Sequence, residues 1–461
     1  MRGFFVKDLI YSTGGRLISG NPAGLIENIS IDSRTIKKGS FFFALKGANY
    51  DAHDFVQSVA DLGAKGIIVS KDIKKLSNIS DDFCIIRVKD TVEALGAAAK
   101  AYRNLFKDLK IAAITGSNGK TTTKELLYSI LNAKEKTLAN KGNFNNRIGL
   151  PLSIFELDDS YKYGVFEIGS SIFGEIDILS DILSPYGAAI TNIGYSHLQE
   201  FKSLDGVYKE KKDIFKYLSK DGFIVLNKDD EFLARIDRND FQKVIEFSIK
   251  NKTDIYADNI SLDKDGVKFQ LHIGKDFIDI DSNQKGEIFV KNALCAAALA
   301  YGFGFSIDDI KEGVKNFTAP KMRMEQFISQ NGAIFINDAY NANPSSMKGA
   351  LKTVCASYES KDIILVLGDM LELGDESPQY HKELGEFIKG QKVKAVYLLG
   401  KEMSYAMAPL KDICVYHSES ADNLYDKLKE LSFDSNTVVL FKGSRSMRLE
   451  LIYLKFANKF N

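Results

Sequence analysis

The sequence predicts an α/β protein of three domains. Short runs rich in β-branched residues alternate with helical patterns through most of the chain, which is typical of βαβ units and of parallel sheets covered by helices. The 461 residues amount to about three domains of roughly 150 residues each. With 45% hydrophobic and 26% charged residues, the composition is that of a globular protein, which excludes disordered and fibrous folds.

The predicted strands are compact and mostly apolar, as expected for strands that are buried on both faces. In chain order they span residues 41–45, 66–69, 84–88, 111–114, 165–168, 188–193, 223–226, 363–367, 396–399 and 438–441. A helical stretch from 91 to 105 leads into the fourth strand, and a helix over 307–317 ends before Pro320, because proline cannot continue a helix. We therefore predict domains over 1–107, 108–318 and 319–461.

The charge balance excludes some classes of partner. Lys plus Arg and Asp plus Glu each total 61, so the net charge is zero and no global field attracts nucleic acid or an anionic membrane.

The cysteines and the apolar runs indicate the compartment. The four cysteines, at positions 84, 295, 355 and 414, have no CxxC spacing, and we predict that they are small buried residues in a reducing compartment. No apolar run approaches the 18 residues of a membrane span. These features predict a cytoplasmic protein.

A phosphate-binding loop stands out in residues 111–132, IAAITGSNGKTTTKELLYSILN, which predict a buried strand, a glycine turn and a helix. Backbone N–H groups and the positive end of the helix would hold a polyphosphate, Lys120 could reach its outer phosphates, and Thr121 could bind Mg²⁺. The strict GxxxxGK[ST] pattern is not matched, because the position where it requires its first glycine, five places before Gly119, is occupied by Ile114. ATP is the predicted ligand, and its candidate contacts are Thr115, Gly116, Ser117, Asn118, Gly119, Lys120 and Thr121.

Two other nucleotide-binding classes are open at this point. Residues 227–230, NKDD, fit the NKxD pattern that reads guanine, but a four-residue pattern with one free position is weak, and a polar turn after a strand is the better explanation. No DxxG follows a strand between the loop and this segment, which weakens the hypothesis of a GTP-dependent switch. A dehydrogenase is also disfavoured, because residues 302–304, GFG, follow a helical stretch and not a strand.

The loop TGSNGKTTTKE, with its late first glycine, resembles the ATP loop of the Mur ligase superfamily, which forms amides in peptidoglycan assembly and folate polyglutamylation. Other resembling blocks follow in the family's order: NKGNFNNRIGLP, VFEIGSSIFGEI, TNIGYSHLQEF, KEKKDIF, NDAYNANPSSM, VLGDMLELGDES and KGSRSMRLE. The segment IDSRTIKKGSFFFALKGANYDAHDF is similar to the family's uridine-nucleotide domain. The resemblance implies a central P-loop ATPase-type parallel sheet, a Rossmann-like C-terminal domain and a smaller mixed α/β N-terminal domain.

The activity that the resemblance implies is an ATP-dependent amide ligation in cell-wall synthesis. We expect D-alanyl-D-alanine to be joined to UDP-N-acetylmuramoyl-tripeptide through an acyl phosphate, which gives the pentapeptide precursor of peptidoglycan. The alternatives are a sister ligase that adds a single amino acid, such as a tripeptide-forming enzyme or a folylpolyglutamate synthase, and a non-enzymatic nucleotide-binding switch. We also expect a monomer that closes around its substrates before chemistry.

Metal ligands are expected in three of the blocks. Glu167 ends a predicted strand at the carboxyl edge of the sheet, where open α/β sheets place ligands, and its carboxylate suits Mg²⁺. The family's equivalent of His197 helps to hold a second metal. The lysine four places before the aromatic residue of KEKKDIF is carbamylated in the family, which implies Lys211, with Lys212 as the fallback. With Lys120, the implied catalytic residues are Lys211 and His197.

Nucleotide contacts are implied in three further blocks. Asn292 matches the family's asparagine on the adenine side, but residues 288–289 are Ile-Phe where the family usually has His-Asn. Arg323 resembles the arginine that reaches the phosphates from the third domain. Asp338 resembles the acid that contacts the nucleotide when that domain closes.

Substrate contacts are expected in the first and third domains. Arginine and lysine beside serine near a loop suit a pyrophosphate, although an exposed turn explains these residues as well. In the third domain, the turn after a strand that contains Asn341, Asn343 and Pro344 could serve the interdomain site or pack as an Asx-type turn. The blocks NDAYNANPSSM and KGSRSMRLE favour a dipeptide as the amine substrate. The candidate residues are Asp32, Ser33, Arg34, Lys46, Asn341 and Asn343.

Overall fold

The computed structural model describes residues 1–263 and 265–460 of the chain. The strands of these residues form three sheets of five, nine and six strands, which follow one another along the chain. Each sheet is mostly parallel and is covered by helices, which confirms the predicted α/β class. We call each sheet with its helices the first, central and third domain.

The first domain has a small mixed sheet in which only the edge strand β1 runs antiparallel to its neighbour, β5. Its elements are α1 (Val6–Thr13), β1 (Arg16–Ser19), β2 (Asn28–Ser30), β3 (Ser40–Phe43), α2 (Val56–Asp61), β4 (Gly66–Val69), β5 (Cys84–Arg87) and α3 (Thr91–Arg103). Helix α3 begins where the Asp90 carboxylate accepts hydrogen bonds from two N–H groups of the first turn. The strand order is β1-β5-β4-β3-β2.

The central domain carries nine strands in the order β14-β13-β12-β11-β10-β9-β6-β8-β7. Strands β6 to β12 are parallel, whereas β13 and β14 are added as an antiparallel meander. Its elements are β6 (Lys110–Thr115), α4 (Lys120–Asn132), β7 (Thr137–Ala139), α5 (Gly149–Ile154), β8 (Tyr163–Glu167), α6 (Glu175–Leu183), β9 (Gly187–Ile190), α7 (Leu198–Phe201), α8 (Leu204–Lys212), β10 (Phe223–Asn227), β11 (Val244–Ser248), β12 (Ile255–Leu262), β13 (Val267–Ile273), β14 (Asp276–Ser282), α9 (Glu287–Phe303) and α10 (Ile307–Lys315). Strand β6 lies between β8 and β9, with β7 and β8 on one side of it and β9 to β14 on the other, so the strand order reverses at β6. Ligands bind at such a switch point, outside the carboxyl ends of the strands.

The third domain has six strands in the order β15-β16-β20-β17-β18-β19, of which only β15 is antiparallel to its neighbour. Its elements are β15 (Glu325–Ile328), β16 (Ile334–Asn337), α11 (Pro344–Ser357), β17 (Asp362–Gly368), α12 (Ser377–Lys389), β18 (Ala395–Leu399), β19 (Cys414–Ser418), α13 (Ala421–Lys429), β20 (Thr437–Lys442) and α14 (Leu449–Phe460). Strands β17 and β20 are mostly apolar and buried.

Buried apolar clusters join the central domain to both of its neighbours. The Tyr102 hydroxyl of α3 donates a hydrogen bond of 2.7 Å to the carbonyl of Leu157 in the central domain. On the other side, one cluster contains Leu198 and Phe201 of α7 together with Leu373 of the third domain. The three domains are therefore packed against one another through apolar surface, not only linked by the chain.

The predicted strand over 188–193 ends early, at Ile190. The two residues after it, Thr191 and Asn192, leave the sheet and bond to the loop after β6.

The prediction that all four cysteines are buried is wrong. All are free thiols, but Cys414 is exposed at the start of the edge strand β19, and Cys355 is half-buried. In the described ranges, no helix has the length and apolar character needed to cross a membrane.

Candidate active site

The turn between β6 and α4 requires glycine at two positions. Gly116 and Gly119 have φ angles of 146° and 81°, which side-chain-bearing residues rarely adopt. A Cβ atom on Gly116 would lie 1.9 Å from the Thr191 hydroxyl oxygen, and one on Gly119 would lie 2.2 Å from the Asn292 side-chain oxygen. The loop therefore touches both the β9 side of the sheet and the start of α9.

Residues that follow β9 hold the same loop. The Asn118 N–H donates to the side-chain oxygen of Asn192 at 3.1 Å, and the Asn118 carbonyl accepts from the Thr191 hydroxyl at 2.5 Å. The Ser117 hydroxyl donates to the Gly194 carbonyl at 2.8 Å. The loop is thus held by hydrogen bonds from neighbouring residues, as a preformed phosphate site requires.

A buried carboxylate lies beside the loop. The Thr121 hydroxyl donates to Glu167 Oε2 at 2.7 Å, and the Asn145 side-chain amide donates to Glu167 Oε1 at 2.8 Å. Arg323 of the third domain donates from Nη2 to the Thr121 hydroxyl at 2.7 Å. Its Nε is buried without a hydrogen-bond partner in the part of the chain that the structure describes. An unpartnered buried N–H group of this kind suits an acceptor such as a phosphate oxygen.

Basic side chains surround this carboxylate. Lys120 donates from Nζ to the Gly116 carbonyl at 2.7 Å, and burial lowers the pKa of its ammonium group. Burial, together with the nearby charge of Lys120, lowers the pKa of Lys211 to about 7. Lys120, Lys211 and Arg323 therefore lie around Glu167, and this local group of cations favours an anionic ligand, although Glu175, Asp229, Asp230 and Asp338 also line the cavity.

The donor atoms fit Mg²⁺ that is shared with a polyphosphate. Thr121 and Glu167 offer hard oxygen atoms side by side, which is the ligand type that Mg²⁺ prefers. Among residues 1–263 and 265–460, no three His, Cys, Asp or Glu side chains are grouped closely enough to hold a metal by themselves. Mg²⁺ is commonly held by one or two protein groups plus phosphate oxygens and waters, so this sparse set is appropriate.

His197 reaches the site from the loop before α7 and meets the third domain. Its Nδ1 lies 2.6 Å from Oε2 of Glu372, and this hydrogen bond lowers the pKa of the Glu372 carboxyl. The imidazole also lines the same cavity as Glu167 and Lys211.

The third domain meets the phosphate-binding loop directly. Asn343 and Ser345, at the start of α11, bond to the Asn118 side chain at 2.8 Å and 2.7 Å. Asn343 also caps α11, since its side-chain oxygen accepts from the Ser346 N–H, so one side chain takes part both in a capping turn and in a contact between two domains. Asp338 accepts from Nζ of the buried Lys442 at 2.6 Å, which ties it within its own domain.

One cavity of about 680 Å³ lies between the central and third domains and brings most of the predicted residues together. Its lining includes Ser117, Asn118, Gly119, Lys120, Glu167, His197, Lys211, Asn292, Arg323, Asp338, Asn341 and Asn343. Thr115, Gly116 and Thr121 adjoin it through the loop. Ile288 and Phe289, which replace the family's usual His-Asn, form an apolar part of its wall with Ala319, Pro320 and Ala350.

The predicted uridine-nucleotide residues do not line this cavity. Asp32, Ser33, Arg34 and Lys46 lie on the first domain, away from the phosphate-binding loop. The Arg34 guanidinium donates two hydrogen bonds to the Asp32 carboxylate, at 2.9 and 2.8 Å, and these bonds lower the pKa of Asp32 to about 2. Arg34 is otherwise largely exposed.

The residues of the NKxD segment serve the fold. The Asn227 side chain donates to the Thr191 carbonyl, Lys228 pairs with Glu246, and Asp230 accepts from the backbone N–H of Ile193. These contacts fit the interpretation of this segment as a polar turn and do not favour a guanine site.

Several side chains of the site were not singled out by the sequence analysis. They are Asn145, Ser170, Tyr340, Glu372 and Lys442. Each lies inside a block that resembles the family, so the resemblance identified the segment but not the individual residue. The Ser170 hydroxyl is buried and has no hydrogen-bond partner within the described ranges, and Tyr340 stacks on the Arg323 guanidinium at 4.3 Å.

Comparison with known proteins places the chain among amide ligases. Residues 25–103 match the model for the Mur ligase family catalytic domain, residues 114–300 the Mur ligase middle domain, and residues 322–445 the Mur ligase glutamate ligase domain. The UDP-N-acetylmuramoyl-tripeptide–D-alanyl-D-alanine ligase of Bacillus subtilis strain 168 is 33% identical over 441 residues, which cover 93% of this chain and 92% of that protein.

Two crystal structures show the same architecture over nearly the whole chain. That of MurF from Acinetobacter baumannii is 32% identical, has a TM-score of 0.91, and covers 99% of both chains. That of MurF ligase from Thermotoga maritima in complex with ADP is 25% identical, has a TM-score of 0.84, and covers 94% of this chain and 97% of its own.

Proposed function

This chain belongs to the Mur ligase family, and we propose that it is the ATP-dependent ligase that joins D-alanyl-D-alanine to UDP-N-acetylmuramoyl-tripeptide. One observation carries the proposal: Lys120, Glu167 and Arg323, from two domains, meet at one cavity beside a preformed phosphate-binding loop. The choice of these substrates over those of a sister ligase is supported by similarity, along nearly the whole chain, to relatives named for this activity. The product is the pentapeptide precursor of peptidoglycan, so the enzyme serves cell-wall assembly.

The phosphates of ATP lie on the loop after β6. The N–H groups of residues 119–121, at the start of α4, would face them, whereas those of Ser117 and Asn118 already donate to Asn192. Lys120 would leave its carbonyl partner to bind the outer phosphates. Arg323 approaches from the opposite side with its unpartnered Nε. These groups stabilise the negative charge that develops as the γ-phosphoryl group passes to the terminal carboxylate of the tripeptide, which gives an acyl phosphate and ADP.

Thr121 and Glu167 would hold Mg²⁺, with His197 at a second position. Bound there, the metal would offset the negative charge of the phosphates and the carboxylate. The residues of the chain provide the orientation: Asn145 fixes one oxygen of Glu167, and Thr121 fixes the other. The dipeptide amine then attacks the activated carbonyl, and the amide forms with release of phosphate and a proton. Closure of the two domains around the cavity would limit the access of water to the acyl phosphate.

Lys211 is proposed to carry a carbamate. Its amine is buried and has a pKa of about 7, so a large fraction is neutral near physiological pH, and only the neutral amine can add CO₂. The modification would replace a cation with an anion close to the charge of Lys120, in a position where Glu210 and Glu167 are the nearby carboxylates. This assignment rests on the family register and on the environment of the amine.

The remaining proposals concern the whole protein. We propose that the first domain binds the uridine nucleotide near Asp32, Ser33, Arg34 and Lys46, and that the domains divide at 107/108 and 318/319. We also propose a cytoplasmic monomer. The three separate sheets support the division.

The decisive experiment measures phosphate release from ATP together with the mass of the product. We expect release only when UDP-N-acetylmuramoyl-tripeptide and D-alanyl-D-alanine are both present, with a product that contains both. Lys120→Met should lower kcat by about 100-fold or more, because it removes a charge that stabilises the transition state. Release with a single amino acid would indicate a sister ligase, and release with neither substrate would indicate a regulator.

A further inference from the structure

A carboxylate of the third domain contacts the histidine of the central domain. Glu372 lies between β17 and α12, and its Oε2 is 2.6 Å from Nδ1 of His197. Both residues have left-handed backbones, with φ angles of 64° and 51°. Because this conformation is uncommon for residues other than glycine, two such residues facing each other indicate a contact that the surrounding structure enforces.

The backbone and the neighbouring side chains hold the contact in place. The Gln199 N–H donates to the Glu372 carbonyl at 3.1 Å, which joins the two domains next to the side-chain pair. Leu198 and Leu373, the neighbours of His197 and Glu372 in sequence, are both buried in the apolar cluster that spans the domains. The pair is therefore positioned by main chain and core packing, not by two flexible side chains that meet at a surface.

The contact determines which nitrogen of His197 is available. When Nδ1–H donates to Glu372, Nε2 keeps its lone pair, and the ring lines the cavity that contains Glu167 and Lys211. Histidines that bind metals commonly donate their other ring N–H to a carboxylate, which fixes the tautomer and the ring orientation. The geometry at His197 has this form, with the unusual feature that the carboxylate belongs to another domain.

We propose that Glu372 is a positioning residue: closure of the third domain brings its carboxylate to Nδ1 of His197 and so presents Nε2 to a divalent cation at the nucleotide phosphates. Cation binding at this position thereby depends on domain closure. The proposal rests on the proposed function for the identity of the nucleotide. Glu372 touches neither substrate nor metal, and it acts through the imidazole.

The pair is unsuited to a purely structural role. The side chains of His197 and Glu372 are 26% and 58% exposed, and ion pairs in contact with water contribute little to stability. We therefore expect variants at Glu372 to fold with nearly unchanged melting temperatures, which makes their effect on cation binding interpretable.

The first test measures the binding of Mn²⁺ by electron paramagnetic resonance, with the full-length protein saturated with ADP. Glu372→Ala should weaken Mn²⁺ binding by about 10-fold or more, as loss of an outer partner of a metal-binding histidine does, and Glu372→Gln, which keeps an acceptor oxygen, should fall between it and wild type. Asp375→Ala removes a neighbouring acid and is the matched control with wild-type binding. Wild-type Mn²⁺ affinity in Glu372→Ala would overturn the proposal.

The second test observes the imidazole itself. The chain has only five histidines, so ¹⁵N-histidine labelling gives a simple spectrum in which His197 is assigned by its loss in His197→Gln. We expect the Nδ1–H tautomer in the wild-type protein with nucleotide, and a mixture of tautomers in Glu372→Ala. Identical His197 signals in both proteins would contradict the proposal. Neither test requires turnover, so a failure to form the amide product would count against the proposed function alone.

Discussion

At Lys211 the fold places a basic side chain in an almost fully buried position. The residue is 2% exposed, and burial is the main reason that its pKa is lowered to about 7. Its neighbour in sequence, Lys212, is only half-buried and lies over the Tyr208 ring at 5.9 Å. The two adjacent lysines therefore have different environments. The alignment with the family's block, which was the only basis for choosing between them, selects the buried one.

This environment predicts a pH-dependent cost in stability. An unfolded lysine has a pKa of 10.5, and the folded value is about 7, so between these pH values the unfolded chain binds a proton that the folded chain does not. Stability due to this group therefore increases as the pH rises from 7 to 10.5, and the full cost of the buried cation is present below pH 7. Lys211→Met should melt at a higher temperature than wild type, with the largest difference below pH 7.

Thermal melting from pH 6 to 9.5 in CO₂-depleted buffer measures this difference. Lys212→Met is the control, and we expect no comparable pH-dependent gain from it. A difference between Lys211→Met and wild type that did not change with pH would contradict the assignment of the shift to Lys211. The same variant, and Lys211→Ala, should lose nearly all turnover without rescue by bicarbonate, whereas near-normal turnover would contradict the catalytic role.

Local patterns identified the residues whose roles depend on near neighbours in sequence. Lys120 and Thr121 follow from the strand, turn and helix around them, and Glu167 follows from its place at the end of β8. Lys442 and Glu372 were missed because their partners are distant: Lys442 pairs with Asp338, which is 104 residues earlier. Such pairs form only when segments distant in sequence pack together, within the third domain for Lys442 and between two domains for Glu372, and no sequence pattern predicts that packing.

Among the elements, the loop between β6 and α4 makes the sharpest stereochemical demand. Gly119 has a φ angle of 81°, and a Cβ atom added to it would lie 2.2 Å from the Asn292 side-chain oxygen. Gly119→Ala should weaken ADP binding by about 10-fold or more and destabilise the fold by roughly 1–3 kcal/mol, because both the backbone and α9 must adjust. Calorimetric titration with ADP measures the first effect.

Gly142 provides the matched control for this variant. Its φ angle is also positive, at 53°, but a Cβ atom there would meet nothing within 4 Å. Gly142→Ala therefore introduces backbone strain without the contact to α9, and we expect wild-type ADP affinity. Equal ADP affinity in Gly119→Ala and Gly142→Ala would show that the approach of the loop to Asn292 does not matter for the site.

The buried parallel strands were predictable because they are short, apolar and flanked by turns. The meander of β12, β13 and β14 was not predicted, although β13 has the alternation VKFQLHI and joins β14 through a two-residue turn at Gly274 and Lys275. Its half-exposed strands mix polar and apolar residues, so they do not resemble the continuous apolar runs of the rest of the sheet.

At the scale of the whole molecule, the third domain is closed over the phosphate-binding loop through Asn118 and Arg323. ATP must enter a cavity that these contacts border, so we expect an open arrangement in solution that closes with substrates. Small-angle scattering should show a smaller radius of gyration with a non-hydrolysable ATP analogue and UDP-N-acetylmuramoyl-tripeptide than with neither. An unchanged radius of gyration would contradict closure.

The apolar cluster between the central and third domains has a consequence for synthesis of the chain. Leu198, Phe201 and Val207 precede the third domain in sequence, and they are buried against its Met370 and Leu373. On the ribosome, where domains fold in order of their emergence, these three side chains stay uncovered until more than 150 further residues have been made. The nascent protein therefore exposes an apolar patch for many seconds, and we expect chaperones to bind at α7 and α8 during translation.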